Sequence, residues 1–242
     1  MNRYRRVNAY WLGSVPYRTA WDLQRSMVEG VRAGERADTL LLLEHPHVFT
    51  IGRRGTAEHL LWDEAEQARR RVEVVWSDRG GDATYHGPGQ LVGYPILDIR
   101  RLGHDIATYL RTLERSLIDY LGDLGIQAAP GGPGLTGVWS SGEKVAAIGV
   151  KFNETVVSHG FALNLTTDLE YFGGIVPCGL TDKKATSVEK LGFGRIETEA
   201  AASAYAACFA EAFQVKLAWG NPKELAALPA ASASEPLPIV RV

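Results

Sequence analysis

Arg79-Gly80-Gly81-Asp82-Ala83-Thr84-Tyr85-His86-Gly87-Pro88-Gly89-Gln90-Leu91-Val92-Gly93-Tyr94-Pro95 runs from a glycine-rich loop into an apolar stretch. Glycines at 80, 81, 87, 89 and 93 let the backbone come close to a ligand and expose N–H donors. Thr84, Tyr85, His86 and Gln90 supply the hydroxyls, imidazole and amide that orient a polar head group. Gln90 to Ile99 then reads as a strand. A polar, glycine-rich loop between strands is expected to bind rather than to serve as surface slack.

Outward from this block, further strands are expected at Val7–Gly13, Thr39–Glu44, Val48–Ile51, Val72–Trp76, Gly137–Ser140, Lys144–Phe152 and Thr155–Asn164. Helices are expected at Tyr17–Ala33, Thr56–Arg71 and Glu199–Phe213, with a short one after Ser187. Ile106, Tyr109, Leu110, Leu113, Leu117, Tyr120, Leu121 and Leu124 recur at helical spacing, which packs one helix face on a sheet. Strands come in runs, without regular βαβ alternation, so the reading is an α+β sandwich rather than a doubly wound sheet.

The 242 residues are 45% hydrophobic and 22% charged, ordinary globular composition for one sizeable domain. A net charge of −2 offers no strong field toward nucleic acid or membrane, and neither partner is expected. No run approaches the ~18–20 apolar residues of a membrane span. No secretory signal is seen, and the two cysteines fit a reducing, cytoplasmic location. Residues 1–220 read as one domain and 221–242 as an Ala- and Pro-rich extension, a flexible tail from 226 onward.

Cys178 lies in Gly173-Gly174-Ile175-Val176-Pro177-Cys178-Gly179-Leu180. A thiol on a Pro–Gly bend is a candidate nucleophile. Cys208 falls in an apolar helical pattern with Tyr205, Phe209 and Phe213 and reads as a buried thiol. Lys144 leads the strand Lys144-Val145-Ala146-Ala147-Ile148-Gly149-Val150. By itself it reads as a snorkelling edge lysine; beside a thiol, an ammonium would stabilise the thiolate and could return a proton. His45-Pro46-His47 lacks the further ligands of a zinc site, so no metal is expected. Gly132-Pro133-Gly134-Leu135-Thr136-Gly137 spells G-x-G-x-x-G but leads into no helix, which makes it a turn rather than a dinucleotide fingerprint.

The 79–95 block, Lys144–Gly149, His159-Gly160-Phe161-Ala162-Leu163-Asn164 and Pro177-Cys178-Gly179-Leu180 together resemble the lipoyl(octanoyl) transferase family, in the family's order. The likeness covers about Leu40 to Leu191, and Glu44-His45-Pro46 with Gly52-Arg53 also fits. It implies a biotin/lipoate protein ligase-like α/β fold of the α+β type, with a mixed, largely antiparallel sheet and flanking helices. It implies transfer of an octanoyl or lipoyl group from acyl carrier protein to a lysine of lipoyl domains, in 2-oxoacid dehydrogenases and the glycine cleavage H protein. No cofactor is implied.

Carried over by residue, Cys178 would be the thioester nucleophile and Lys144 the group that favours its thiolate. Arg79, Gly80, Gly81, Asp82, Ala83, Thr84, Tyr85 and His86 would line the acyl substrate, with Ala147, Ile148, Gly149, Gly160, Phe161 and Ala162. His86 and His159 would help orient it, and Asp82 receives no catalytic task. The alternatives are an ATP-dependent lipoate–protein ligase, which needs no Cys178, a non-catalytic acyl or lipoyl-domain binding protein, and a Cys-dependent hydrolase using His159.

Overall fold

The run Leu40–Leu43 shows how the molecule is layered. It forms the centre of β2 (Thr39–Glu44) and is fully buried. Leu40 and Leu42 enter one apolar cluster, Leu41 and Leu43 another. Side chains alternate across a strand, so an unbroken leucine run demands cover on both faces of the sheet.

The computed structural model describes residues 5–132, 134–176 and 184–225. Cys178 and the tail from 226 lie outside them. The main sheet runs, in spatial order, β11 (Val215–Trp219), β1 (Arg5–Ser14), β2, β6 (Gln90–Ile96), β10 (Val156–Asn164), β9 (Glu143–Asn153), β8 (Gly137–Ser140) and β7 (Ala129–Pro130). β1 is parallel to both of its neighbours; every other pairing in this sheet is antiparallel. A second sheet sets β3 (Val48–Ile51) between β4 (Glu73–Trp76) and β5 (Ala83–His86). The mixed, largely antiparallel α+β architecture with flanking helices is the one expected from the sequence.

One face of the main sheet carries α1 (Tyr17–Ala33), which contributes Ala20, Met27, Val28 and Val31 to the cluster of Leu41 and Leu43. Its chain reverses at Gly34, whose φ of 75° is the left-handed conformation glycine adopts without strain. The other face carries α3 (Ile106–Asp123) and α4 (Thr198–Ala212). Tyr109, Leu113, Leu117 and Leu121 of α3 meet Tyr205 and Phe209 of α4 there, the stripe expected from the helical spacing. The carboxylate of Asp105 caps α3 by accepting from the Thr108 N–H at 2.7 Å.

Three local readings change. The segment 56–71 is not one helix: a short turn at Ala57–His59 and α2 (Glu64–Arg69) are separated by an extended stretch. There Leu60 bridges to Ile175, and Leu61 N–H donates to the Gly174 carbonyl at 2.8 Å, so tertiary pairing outweighs helical propensity. The glycine-rich loop contains a strand, β5, because Ala83–His86 zip against β3. β11 has no counterpart in the sequence reading; it is a half-exposed edge strand without a strong apolar pattern. Among the described residues no helix is long and apolar enough to cross a membrane.

Candidate active site

Residues 79–82 lead from β4 into β5 of the small sheet and touch β9 of the main one, and a cavity of about 620 Å³ opens beside them. Gly80 N–H donates to the Val150 carbonyl on β9 at 2.9 Å, pinning the loop to that strand. The fit depends on bare backbone: a Cβ at Gly149 would lie 2.8 Å from the Gly80 carbonyl oxygen, and one at Gly160 would lie 2.1 Å from the Gly93 carbonyl oxygen. Gly149→Val should therefore lift the loop from β9. The expected cost is about 1–3 kcal/mol in urea unfolding, the usual range for overpacking, with octanoyl transfer falling further than stability. Wild-type stability and turnover in this variant would contradict the close packing.

Arg79 holds the loop from inside. Only 7% exposed, it donates through Nε to Thr50 Oγ1 at 3.0 Å. Its terminal nitrogens reach the carbonyls of Thr50 and Asp82, both at 2.6 Å, and of Gly80 at 3.0 Å. Backbone N–H groups of Gly52, Arg53 and Arg54 donate to the Asp82, Arg79 and Gly81 carbonyls. Arg79 reaches the cavity wall, and these bonds tie its guanidinium to Thr50 of β3 and to the loop carbonyls of Gly80 and Asp82.

From Thr50 a buried polar chain crosses the sheet. Gln90 Nε2 donates to the Tyr85 carbonyl at 3.1 Å and to Asn164 Oδ1 at 2.9 Å. That fixes its amide, so Gln90 Oε1 accepts from His86 Nδ1–H at 2.8 Å. His86 Nε2 is then the acceptor in the longer 3.4 Å contact with Thr50 Oγ1. Asn164 Nδ2 donates onward to the Thr186 carbonyl at 2.9 Å. Burial lowers the His86 pKa well below its ordinary value, with the charges of its neighbours acting the same way, and keeps the ring neutral. His86 is one link of this hydrogen-bonded chain.

His159 sits in β10 with φ of 56°, a conformation uncommon for a side-chain-bearing residue inside a strand. Its backbone N–H donates to Gln24 Oε1, and its ring Nε2–H donates to Asp78 Oδ1, both at 2.7 Å. Nδ1 has no hydrogen-bond partner among the described residues. Burial lowers the His159 pKa despite Asp78. Burial opposes ionisation of Asp78, but hydrogen bonds from His159 and from Lys151, whose Nζ lies at 2.7 Å, outweigh it and hold the carboxyl below the carboxylate range.

His45, behind the cavity, donates from Nδ1 to the Val15 carbonyl at 2.6 Å and lies 2.8 Å from the Tyr94 hydroxyl. Burial lowers its pKa to about 4. The unfolded chain binds this proton at about pH 6.5 and the folded chain resists it, so the stability His45 contributes is full above that pH and is lost as pH falls toward 4. Between pH 7 and pH 5 this one group costs about 2 kcal/mol, and His86 acts with the same sign. Urea unfolding at the two pH values should show the loss; equal midpoints would contradict it.

Lys144, near the start of β9, lines the cavity, its Nζ 5.0 Å from the ring centre of Trp139. Its backbone N–H donates to the Lys184 carbonyl and its carbonyl accepts from Thr186 N–H, both at 2.9 Å. The structure thus brings Arg79, Gly80, Gly81, Asp82, Ala83, Thr84, His86, Lys144, Ala147, Ile148, Gly149, His159, Gly160, Phe161 and Ala162 onto one cavity wall. Tyr85 is not on that wall: its hydroxyl lies 2.8 Å from His47 Nδ1 and its ring stacks on Tyr171. The sequence reading did not place Tyr17, Tyr94, Leu110, Leu135 and Thr136 on the wall. It also gave no role to Asp78 or Lys151, though Asp78 directly precedes the Arg79 block and was open to the same argument.

A family model described as the lipoyl protein ligase A/B catalytic domain matches residues 16–210. An octanoyltransferase of Solibacter usitatus is 52% identical over 181 residues, covering 75% of this chain and 81% of the relative. One from Caldicellulosiruptor saccharolyticus is 42% identical over 221 residues, covering 91% and 94%. Among solved structures, lipoate-protein ligase A bound with ATP superposes with a TM-score of 0.71 at 18% identity, covering 90% of this chain and 91% of that one. A bi-partite lipoate protein ligase from Thermoplasma acidophilum, solved in a study with its E2 lipoyl domain, gives 0.70 at 18% identity, covering 92% and 90%. These structural likenesses establish the shared fold, and the sequence relatives establish the activity class. The chain belongs to the lipoyl protein ligase A/B catalytic domain family and, within it, to the octanoyltransferases.

Proposed function

We propose that this enzyme moves an octanoyl group from acyl carrier protein to a lysine of a lipoyl domain, through a thioester on Cys178 and without ATP. The observation that carries the reading is the anchoring of the chain on both sides of Cys178. On one side Val176 N–H donates to the His59 carbonyl at 2.9 Å. On the other, Lys184–Thr186 pair with the backbone of Lys144, itself on the cavity wall. The polar wall suits a thioester head group, and Leu110, Leu135, Ile148 and Phe161 give apolar surface for an alkyl tail. Each buried methylene of that tail contributes about 0.8 kcal/mol.

In the first half-reaction Lys144 takes the thiol proton and the Cys178 sulfur attacks the thioester carbonyl carbon. The bond from that carbon to the carrier's sulfur breaks, and the leaving thiolate takes the proton back from Lys144. In the second, the acceptor lysine amine attacks the Cys178 thioester. Its proton passes through Lys144 to the departing Cys178 sulfur, and an amide remains. Thioester exchange is near balance and amide formation runs downhill, so no nucleotide is consumed.

The test is transfer to a purified lipoyl domain from octanoyl carrier protein in nucleotide-free buffer. Mass gain on the domain at a rate independent of added ATP supports the reading. Transfer that requires ATP, or that proceeds only from free octanoate, overturns it in favour of a ligase.

A further inference from the structure

One residue, His59, ties the segment 174–176 to the substrate loop, through its backbone on one side and its ring on the other. Its carbonyl accepts the Val176 N–H at 2.9 Å, Leu60 bridges to Ile175, and Leu61 N–H donates to the Gly174 carbonyl at 2.8 Å. The same residue's ring nitrogen Nδ1 meets Asp82 Oδ1 at 2.6 Å, and that oxygen also accepts the Ala83 N–H at 2.6 Å. Asp82 lies on the cavity wall and its side chain is 10% exposed; that of His59 is 25% exposed.

We propose that His59 is a positioning residue that locks the segment 174–176, which leads to Cys178, to the Asp82 side of the substrate loop, so that nucleophile and substrate share one frame. The inference rests on the reading of Cys178 given above.

The segment is stiff enough to transmit position. Tyr171 stacks on both His47, at 4.2 Å and 1°, and Tyr85, at 4.9 Å and 13°, which are hydrogen-bonded to each other at 2.8 Å. Gly174 packs so closely that a Cβ there would lie 2.5 Å from the Phe49 ring and 2.6 Å from Trp62. Cys178 follows the clamped Val176 by only two residues in the sequence. A hydrogen bond with a carboxylate partner is the stronger, more directional kind. The pair holds together two loops rather than filling an apolar core, so removing it should shift alignment more than stability. A displacement of 1 Å at a reacting centre can cost about 100-fold in rate.

The experiment is single-turnover acylation by octanoyl carrier protein, followed by intact mass, alongside carrier affinity and urea unfolding. His59→Ala should slow acyl-enzyme formation about 10- to 100-fold while carrier affinity and the unfolding midpoint hold. His59→Asn, whose side-chain N–H can reach a carboxylate from the Nδ1 position, should restore most of the rate. The double variant with Asp82→Ala should be no slower than the slower single one. Wild-type acylation in His59→Ala, additive losses in the double variant, or no rescue by Asn would overturn the proposal. A wild-type enzyme that forms no Cys178 adduct refutes this proposal together with the reading beneath it, and that failure shows before any His59 variant is made.

Discussion

Cys178→Ala should abolish octanoyl transfer, with kcat/KM falling on the order of 10⁴-fold or more, the scale of losing a nucleophile. The loss should be complete in the first half-reaction, because no other described group is a plausible acyl carrier. Cys208 is the internal control. It lies on α4, 8% exposed, with its sulfur 3.4 Å from Asp123 Oδ2. Burial, followed by the neighbouring Asp123, pushes its thiol up to about 12, so it is protonated at neutral pH and a poor nucleophile. Cys208→Ser should therefore retain transfer. Since the chain has two cysteines, the pair of variants assigns the nucleophile without ambiguity. Steady-state transfer to a lipoyl domain is the measurement, and transfer surviving Cys178→Ala would remove the acyl-enzyme from the account.

Lys144→Met should cost about 10²- to 10⁴-fold in both half-reactions, the usual worth of a positioned proton carrier. Methionine keeps an unbranched apolar stem beside Trp139 but carries no proton. The strand's own bonds to Lys184 and Thr186 are backbone bonds and survive the change, so the side chain is tested without unpinning the segment. Lys144→Arg should fail almost as badly. A guanidinium restores charge but does not give up its proton at working pH. Stopped-flow acylation followed by transfer resolves the two steps. Activity in the Met variant within about threefold of wild type would show that Lys144 carries no proton in the reaction.

Much of the fold was legible because its signals are local. The leucines of β2 announce a strand buried on both faces, and the spacing of Tyr109, Leu113 and Leu117 announces the helix that covers one of them. The site was legible where one contiguous block builds it: seven of the eight residues from Arg79 to His86 reach the cavity. Tyr85 escapes because β5 alternates, and its ring belongs to the small sheet's core with Phe49 and Tyr171.

What the sequence hid depends on distant partners. Residues 56–71 carry helix-favouring composition, yet Leu60 and Leu61 are held extended by Ile175 and Gly174. The bonds that hold Arg79 were hidden in the same way: its donors meet the carbonyls of Thr50, Gly80 and Asp82, contacts that the pairing of β3 with β5 brings into range. His59 lay in the misread helix, and neither its carbonyl's bond to Val176 nor its ring's bond to Asp82 has any signature in the local pattern.

The central claim is a covalent octanoyl-enzyme on Cys178, formed without ATP. Its most direct measurement is the intact mass of the protein after brief incubation with octanoyl carrier protein in nucleotide-free buffer, quenched in acid, with peptide mapping of the product. The account predicts one octanoyl adduct per chain, located on Cys178, labile to hydroxylamine, and discharged when a lipoyl domain is added. An unmodified mass in an enzyme that still transfers octanoyl, or an adduct that persists in Cys178→Ala, would contradict it.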